Sequence, residues 1–301
     1  NQEANDTSET HQWVRSLNEC NGKLGLYGFS YQGLTQLTGN ESSIPPDCLT
    51  PAMTGLDIKS HWCSDGGAFW WGNNITWAMQ IAALKMKREN NKIGWEKIRS
   101  SLENQTFLRD GFEILKKYDP NNFIIKWNEI LNNDEDFKII RPVSSWLKKP
   151  ILIYGGLWDP HLSGALDLYK KSKDLGGNPE IIISDSSHLH WWDESQITLL
   201  KFFDKYLKDN EISKLNNISH KKIWNISLKS WENIENTSLN YEFYLGSEGK
   251  ANFEIEDGSL AINSKSTGFF TIVHDPWRPV ILDGGHLGKN PGIFDRKCLD
   301  K

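Results

Sequence analysis

The sequence predicts an α/β protein: a parallel sheet wrapped by helices, interrupted by a long helical insertion and followed by an all-β module. Three observations predict it. Short runs dominated by apolar residues recur at 23–27, 48–53, 150–155 and 179–184, as strands covered on both faces do. Helical periodicity at 162–175 and 194–208 alternates with the last two runs, giving strand, helix, strand, helix. After 210 the texture changes to short alternating stretches at 223–228, 241–245, 259–262 and 268–274, separated by Asn, Gly and Ser.

Residues 6–18 read as a short helix with Trp13, Val14 and Leu17 on one face, capped by Thr7 or Ser8. Asn21-Gly22 turns the chain into the first strand. The run 84–145 is mostly helical, with Trp95, Ile98, Leu102, Phe112, Leu115, Phe123, Trp127, Ile130 and Leu131 spaced at three or four. Gly176-Gly177 closes the helix that follows 150–155.

The chain has 301 residues and a net charge of −5, which excludes nucleic acid and an anionic membrane surface as main partners. Its apolar runs are far shorter than the ~20 residues of a spanning helix. Cys20, Cys48, Cys63 and Cys298 form neither a disulfide framework nor a CxxC metal site. Seven Asn-x-Ser/Thr sequons sit among 26 Asn, a number chance accounts for, so a reduced, cytoplasmic setting is expected. The 14 tryptophans stand out, because each brings a large apolar area with one polar atom to satisfy.

Gly28-Phe29-Ser30, between a strand and a helix, is the strongest local signal. A sharp turn with small flanking residues lifts a serine hydroxyl to where a base and a substrate both reach it. The backbone N–H of Tyr31 would then face a developing oxyanion. Gln32 displaces the second glycine of the usual G-x-S-x-G to Gly33, and alone this pattern reads more readily as a plain Gly-Ser turn. Chain order adds to it. Asp159 follows the strand at 150–155 and His188 follows the strand at 179–184, the order Ser, Asp, His of an α/β-hydrolase. His188 would take the proton of Ser30, and Asp159 would hold the imidazole tautomer. A metal-dependent hydrolase is the competing arrangement, with His188, His190, Asp159 and His161, or His61 and Cys63, as ligands. It leaves residues 28–33 unexplained, and no cofactor or metal is expected. His11, His220, His274 and His286 read as structural or solvent-facing.

These residues resemble a known family. Gly25-Leu26-Tyr27-Gly28-Phe29-Ser30-Tyr31-Gln32-Gly33 is similar to the nucleophile region of the CocE/NonD hydrolases, the X-prolyl dipeptidyl-peptidase group. Gly155-Gly156-Leu157-Trp158-Asp159 resembles its acid turn, and Phe202-Phe203-Asp204-Lys205-Tyr206-Leu207-Lys208 one of its helices. His274-Asp275-Pro276-Trp277-Arg278-Pro279-Val280, Gly284-Gly285 and Pro291-Gly292-Ile293-Phe294-Asp295-Arg296 resemble segments of its β-sandwich. The resemblance implies an α/β-hydrolase domain at 1–55 and 146–209, a helical cap at 56–145 and a jelly-roll-like β-sandwich at 210–301. It implies catalysis by Ser30, Asp159 and His188 on an ester or peptide bond. Two departures stand beside it. Ser184-Asp185-Ser186-Ser187 replaces the family's Gly-Pro-Trp ahead of the histidine, and only 29 residues precede Ser30. Family members carry there the first sheet strands and a loop tyrosine that donates to the oxyanion. The resemblance therefore implies a sheet incomplete at its N-terminal side, in an N-terminally truncated chain.

Trp62, Phe69, Trp70 and Trp71, with Trp77 close by, crowd the start of the expected cap; Trp158 adjoins Asp159, and Trp191-Trp192 follow His188. They are candidates to line a pocket for an apolar acyl group, which makes the expected partner a small acyl ester or peptide. A dipeptidase would also need a carboxylate for the substrate amine, with Asp57, Asp65 and Asp193 as candidates, each of which reads more readily as a surface acid. An inactive truncated hydrolase and a carbohydrate-binding β-module protein are the alternative readings, and a homo-oligomer stays open.

Overall fold

The computed structural model describes residues 2–131, 142–208, 220–236, 242–251, 253–263 and 292. The chain opens with helix α1 (Gln2–Ser16), strand β1 (Gly25–Phe29), the short helix α2 (Tyr31–Thr35) and strand β2 (Cys48–Ala52). One π-helical turn at Lys59–Cys63 and a small ribbon, β3 (Ser64–Asp65) and β4 (Ala68–Phe69), lead into four helices. These are α3 (Trp71–Arg88), α4 (Lys92–Glu103), α5 (Phe107–Tyr118) and α6 (Phe123–Ile130). Then β5 (Leu152–Trp158), α7 (Leu162–Asp174), β6 (Glu180–Ser187) and α8 (Ser195–Leu207) alternate. Strands β7 (Lys221–Asn225), β8 (Ser230–Asn233), β9 (Tyr244–Gly246) and β10 (Ser259–Ala261) complete the described chain.

Helix α1 begins ahead of the expected residue 6. Gln2 Nε2 donates to Asp6 Oδ1 at 2.6 Å across the first turn, and Ser8, expected as a cap, instead donates to the Ala4 carbonyl from within the helix.

The sheet has the order β1-β2-β5-β6-β7-β8, parallel from β1 to β7. Its side chains sort by parity, because successive residues of a strand point to opposite faces. Ile151, Ile153, Ile181 and Ile183 join Leu37, Leu49, Ala165 and Leu168 in the cluster that α7 covers. Leu152, Tyr154 and Ile182 join Cys48, Ala52 and Phe202 in the cluster that α8 covers. Both faces are therefore apolar, and burial of each such side chain stabilises the fold by about 1.5–3 kcal/mol.

Helices α3 to α6 have their own core of Ile75, Ala78, Met79, Ala82, Ile98, Leu115 and Ile124. A second cluster ties that layer to the sheet. Leu34 of α2 packs with Ile58, Trp62 and Cys63, and Trp77 of α3 and Trp127 of α6 lie against them.

Residues past 210 differ in part from expectation. β7 pairs in parallel with β6, and β8 pairs antiparallel with β7, so two strands expected in a terminal β-module extend the main sheet. Ile223 of β7 packs on the cluster under α7 and Trp231 of β8 on the one under α8, which alternating sequence alone does not distinguish from a separate sandwich. β9 and β10 form a two-stranded sheet of their own. The stretch 268–274 and, apart from Gly292, the motif residues between His274 and Arg296 lie outside the described residues. No described helix is long and apolar enough to cross a membrane.

Candidate active site

Ser30 sits in the single-residue turn between β1 and α2 with φ 57° and ψ −128°, a conformation a non-glycine residue holds at a cost of order 1–3 kcal/mol. The surroundings hold it there. Ser30 N–H donates to the Ala52 carbonyl at 2.9 Å, and the Ser30 carbonyl accepts from Gly33 and Leu34. The buried Gln36 amide donates to the Gly28 carbonyl (3.0 Å) and accepts from Thr50 N–H (3.1 Å), bridging β1 and β2 behind the turn. A Cβ on Gly28 would stand 2.7 Å from Gln32 Cβ, and one on Gly33 would stand 2.9 Å from Thr54 Cβ. Both glycines are thus required by close approach, which accounts for the displaced second glycine. Tyr31 is the first residue of α2, where a backbone N–H has no intrahelical acceptor.

Asp159 lies just past the end of β5, where the β5–β6 register shifts between Gly156 and Trp158. A Cβ on Gly156 would collide with the Ser186 carbonyl, so only glycine lets the two strands approach at the shift. Trp158 Nε1–H donates to Asp185 Oδ1 (2.5 Å), fastening the turn to β6. The Asp159 side chain is fully buried and accepts two hydrogen bonds. His161 N–H donates to Oδ1 at 2.8 Å, and His188 Nδ1–H donates to Oδ2 at 2.5 Å. His188 is partly exposed, at 29% of its side chain. Its ring centroid lies 5.6 Å from Phe29, the neighbour of Ser30, and 5.6 Å from His161. Among the described residues no hydrogen bond joins the Ser30 hydroxyl to His188.

A carboxylate only accepts, so Nδ1 is the nitrogen of His188 that donates to Asp159, and Nε2 is the ring nitrogen left for another partner. His161 is 5% exposed, and burial pushes its imidazole down to about 4, against the opposing pull of Asp159. It is therefore neutral near pH 7, and its Nδ1–H donates to the His61 carbonyl at 2.8 Å.

The aromatic residues divide. Trp62 is buried with its ring 4.3 Å from His161 and 6.3 Å from Tyr31, and Trp70 stands 6.0 Å from His161. Trp191 packs on Phe29 and donates to the His188 carbonyl at 3.2 Å. Trp71 packs instead against the core of the helical layer, Phe69 packs against both that core and the cluster around Trp62, and Trp158 is the residue tied to Asp185. Asp57 Oδ1 accepts from Ser60 N–H, while Asp65 and Asp193 are exposed. Among the described residues no three His, Cys, Asp or Glu side chains converge as metal ligands. Sequence reasoning weighed His161 and His61 only as metal ligands. The spacing Asp159-Pro160-His161, two residues past the acid, is the signal that could have placed His161 at the carboxylate.

A parallel α/β sheet that presents a strained serine turn and a buried aspartate–histidine pair at the carboxyl ends of its strands defines the class of α/β hydrolases. The chain belongs to the X-Pro dipeptidyl-peptidase (S15) family, whose model matches residues 1–190. It is 23% identical over 337 aligned positions to cocaine esterase of Rhodococcus sp. (strain MB1 Bresler), covering 98% of this chain and 58% of that protein. It is also similar in fold to a CocE/NonD family hydrolase from Staphylococcus aureus, with a TM-score of 0.56 at 16% identity. That match covers 87% of this chain and 42% of the other.

Proposed function

We propose that the chain is a serine hydrolase that cleaves acyl ester or amide bonds through an acyl-enzyme, with Ser30 as nucleophile, His188 as base and Asp159 as its orienting acid. The observation that carries this reading is the buried Asp159 carboxylate holding His188 Nδ1–H, with the Phe29-Ser30 turn packed against the same imidazole. His188 Nε2 would take the Ser30 proton as Oγ attacks the carbonyl carbon, and would return it to the leaving alcohol or amine. Water would then be activated by the same nitrogen to release the acid. Serine–histidine contacts are commonly loose without substrate and tighten in the bound complex. The Tyr31 N–H supplies one donor to the oxyanion.

Trp62, Trp70 and Trp191 would face an apolar acyl group, and Tyr31 would close the same wall. The likeness to cocaine esterase supports an ester substrate, and the S15 family supports an X-Pro amide. Asp57 Oδ1 accepts from Ser60 N–H and Asp57, Asp65 and Asp193 are all exposed, so the ester is taken as the substrate on the likeness to the esterase alone. A fluorophosphonate probe should label the chain, and Ser30→Ala should abolish labelling; equal labelling of the variant overturns the assignment. Turnover of short acyl nitrophenyl esters should exceed that of Ala-Pro-nitroanilide, and the reverse order overturns the ester preference.

A further inference from the structure

Beside the pair Asp159 and His188 lies a third ring that takes no part in the proposed proton transfers. His161 donates its backbone N–H to the Asp159 carboxylate and its ring Nδ1–H to the His61 carbonyl, and its ring lies between Trp62 and His188. The acceptor it grips is unusually well fixed. His61 belongs to the π-helical turn Lys59–Cys63, a distortion found often at functional sites. Its own Nδ1 accepts from Asp57 N–H at 3.0 Å, and its Nε2–H donates to Asp167 Oδ2 of α7 at 3.0 Å. Two glycines make room for it. A Cβ on Gly55 would collide with His61 Cβ, and one on Gly164 would stand 2.5 Å from Gly55 Cα and 3.1 Å from His61 Cγ. The turn that carries Trp62 is thereby locked to α7, and the His161 ring links it to the acid loop.

We infer that His161 is a positioning residue, which transmits the placement of the turn Lys59–Cys63 to the Asp159–His188 pair and so sets the orientation of the proposed base. This rests on the serine-hydrolase reading above. The charged or titratable groups that face His161 are Asp159 beside it, His188 from the loop after β6 and His61 from the π-helical turn; Trp62 and Trp70 are neutral. A neutral ring here neither competes for the Asp159 charge nor repels the imidazolium that forms on His188 during acyl transfer. With the ring N–H removed, nothing ties the ring at 161 to the His61 carbonyl, and the Asp159–His188 hydrogen bond is held less firmly.

The test compares His161→Phe, which keeps a ring and removes the donor, with His161→Asn, whose amide N–H falls near the position of Nδ1. For ester turnover, His161→Phe should lower kcat by roughly tenfold to a hundredfold with KM little changed, as misplaced reacting groups do. The acid limb of its pH–rate profile should move to lower pH, and His161→Asn should restore most of both. The titration of His188, followed by NMR in the same variants without substrate, should fall in His161→Phe and recover in His161→Asn. Unchanged kcat and unchanged His188 titration in a folded His161→Phe overturn the inference, as does an Asn variant no better than Phe. Failure of the serine-hydrolase reading shows separately, as probe labelling that survives Ser30→Ala, while the NMR titration still reports on His161.

Discussion

At the scale of single residues, the site is held by close approaches that exclude a side chain as much as by the hydrogen bonds it makes. Gly156 is the clearest case, because its Cα lies where β5 shifts register against β6 and the Ser186 carbonyl occupies the space of a Cβ. Gly156→Ala must push the two strands apart, and overpacking of this kind costs about 1–3 kcal/mol. The strain falls on the turn that carries Asp159, so ester turnover should drop at least ~10-fold, by the sensitivity of catalysis to small misplacements. Gly72, in the first turn of α3 with open space at its Cβ position, is the control. Gly72→Ala should leave turnover unchanged and raise stability by up to about 1 kcal/mol, read from the urea midpoint.

At the scale of elements, the helical layer is joined by a buried polar knot as well as by its apolar core. Asn122 caps α6 by accepting from Ile124 N–H at 3.2 Å, and its amide donates to Asp119 Oδ2 at 2.9 Å and to the Ala78 carbonyl of α3 at 3.3 Å. Asp119 also accepts from Lys85 Nζ at 2.6 Å. Asn122→Ala therefore opens the first turn of α6 and leaves a buried carboxylate with one donor fewer. The expected loss is about 2–3 kcal/mol, combining the cap with an unsatisfied buried acceptor. Asn91→Ala, which removes an exposed cap that accepts only from Gly94 N–H, should lose about 1 kcal/mol or less. Chemical denaturation of both variants checks the ratio, and equal losses would show that the knot adds nothing to the cap.

For the whole molecule, buried neutral histidines make stability depend on pH. His161 titrates at about 4 in the folded chain against an ordinary 6.5 when unfolded. Above pH 6.5 neither state binds the proton, and the contribution is fully present. As pH falls from 6.5 to 4 the unfolded state takes up a proton that the native state refuses, so stability is lost across that window. From pH 7 to pH 5 the loss from this group is about 2 kcal/mol. Burial lowers His11 and His220 too, and they act in the same direction. Urea unfolding at pH 7 and pH 5 should show the drop, and in His161→Asn it should be smaller by about that amount. An identical drop in the variant would contradict the assignment of the low value to His161.

The strands and helices of the parallel sheet are legible in the sequence to within a few residues. Runs such as 150–155 are apolar almost throughout because both faces are covered, and that pattern needs no tertiary knowledge to read. The sequence also singled out Ser30, Asp159 and His188, since a small-residue turn and two strand ends are local features in a recognisable order. Three features emerge only in the packed fold. The partner of β7 and β8 is the main sheet and not a separate sandwich, which the sequence does not show because outer strands of a sheet alternate just as sandwich strands do. The division of the aromatic residues followed from packing: Trp62, Trp70 and Trp191 lie by the histidines, Trp71 lies in the helical layer and Phe69 touches both clusters, although the tryptophans at 62, 70 and 71 look alike in sequence. The contact between His161 and His61 spans 100 residues of chain. Spacing carries no information about such a contact, because it exists only once α7 and the π-helical turn have packed together.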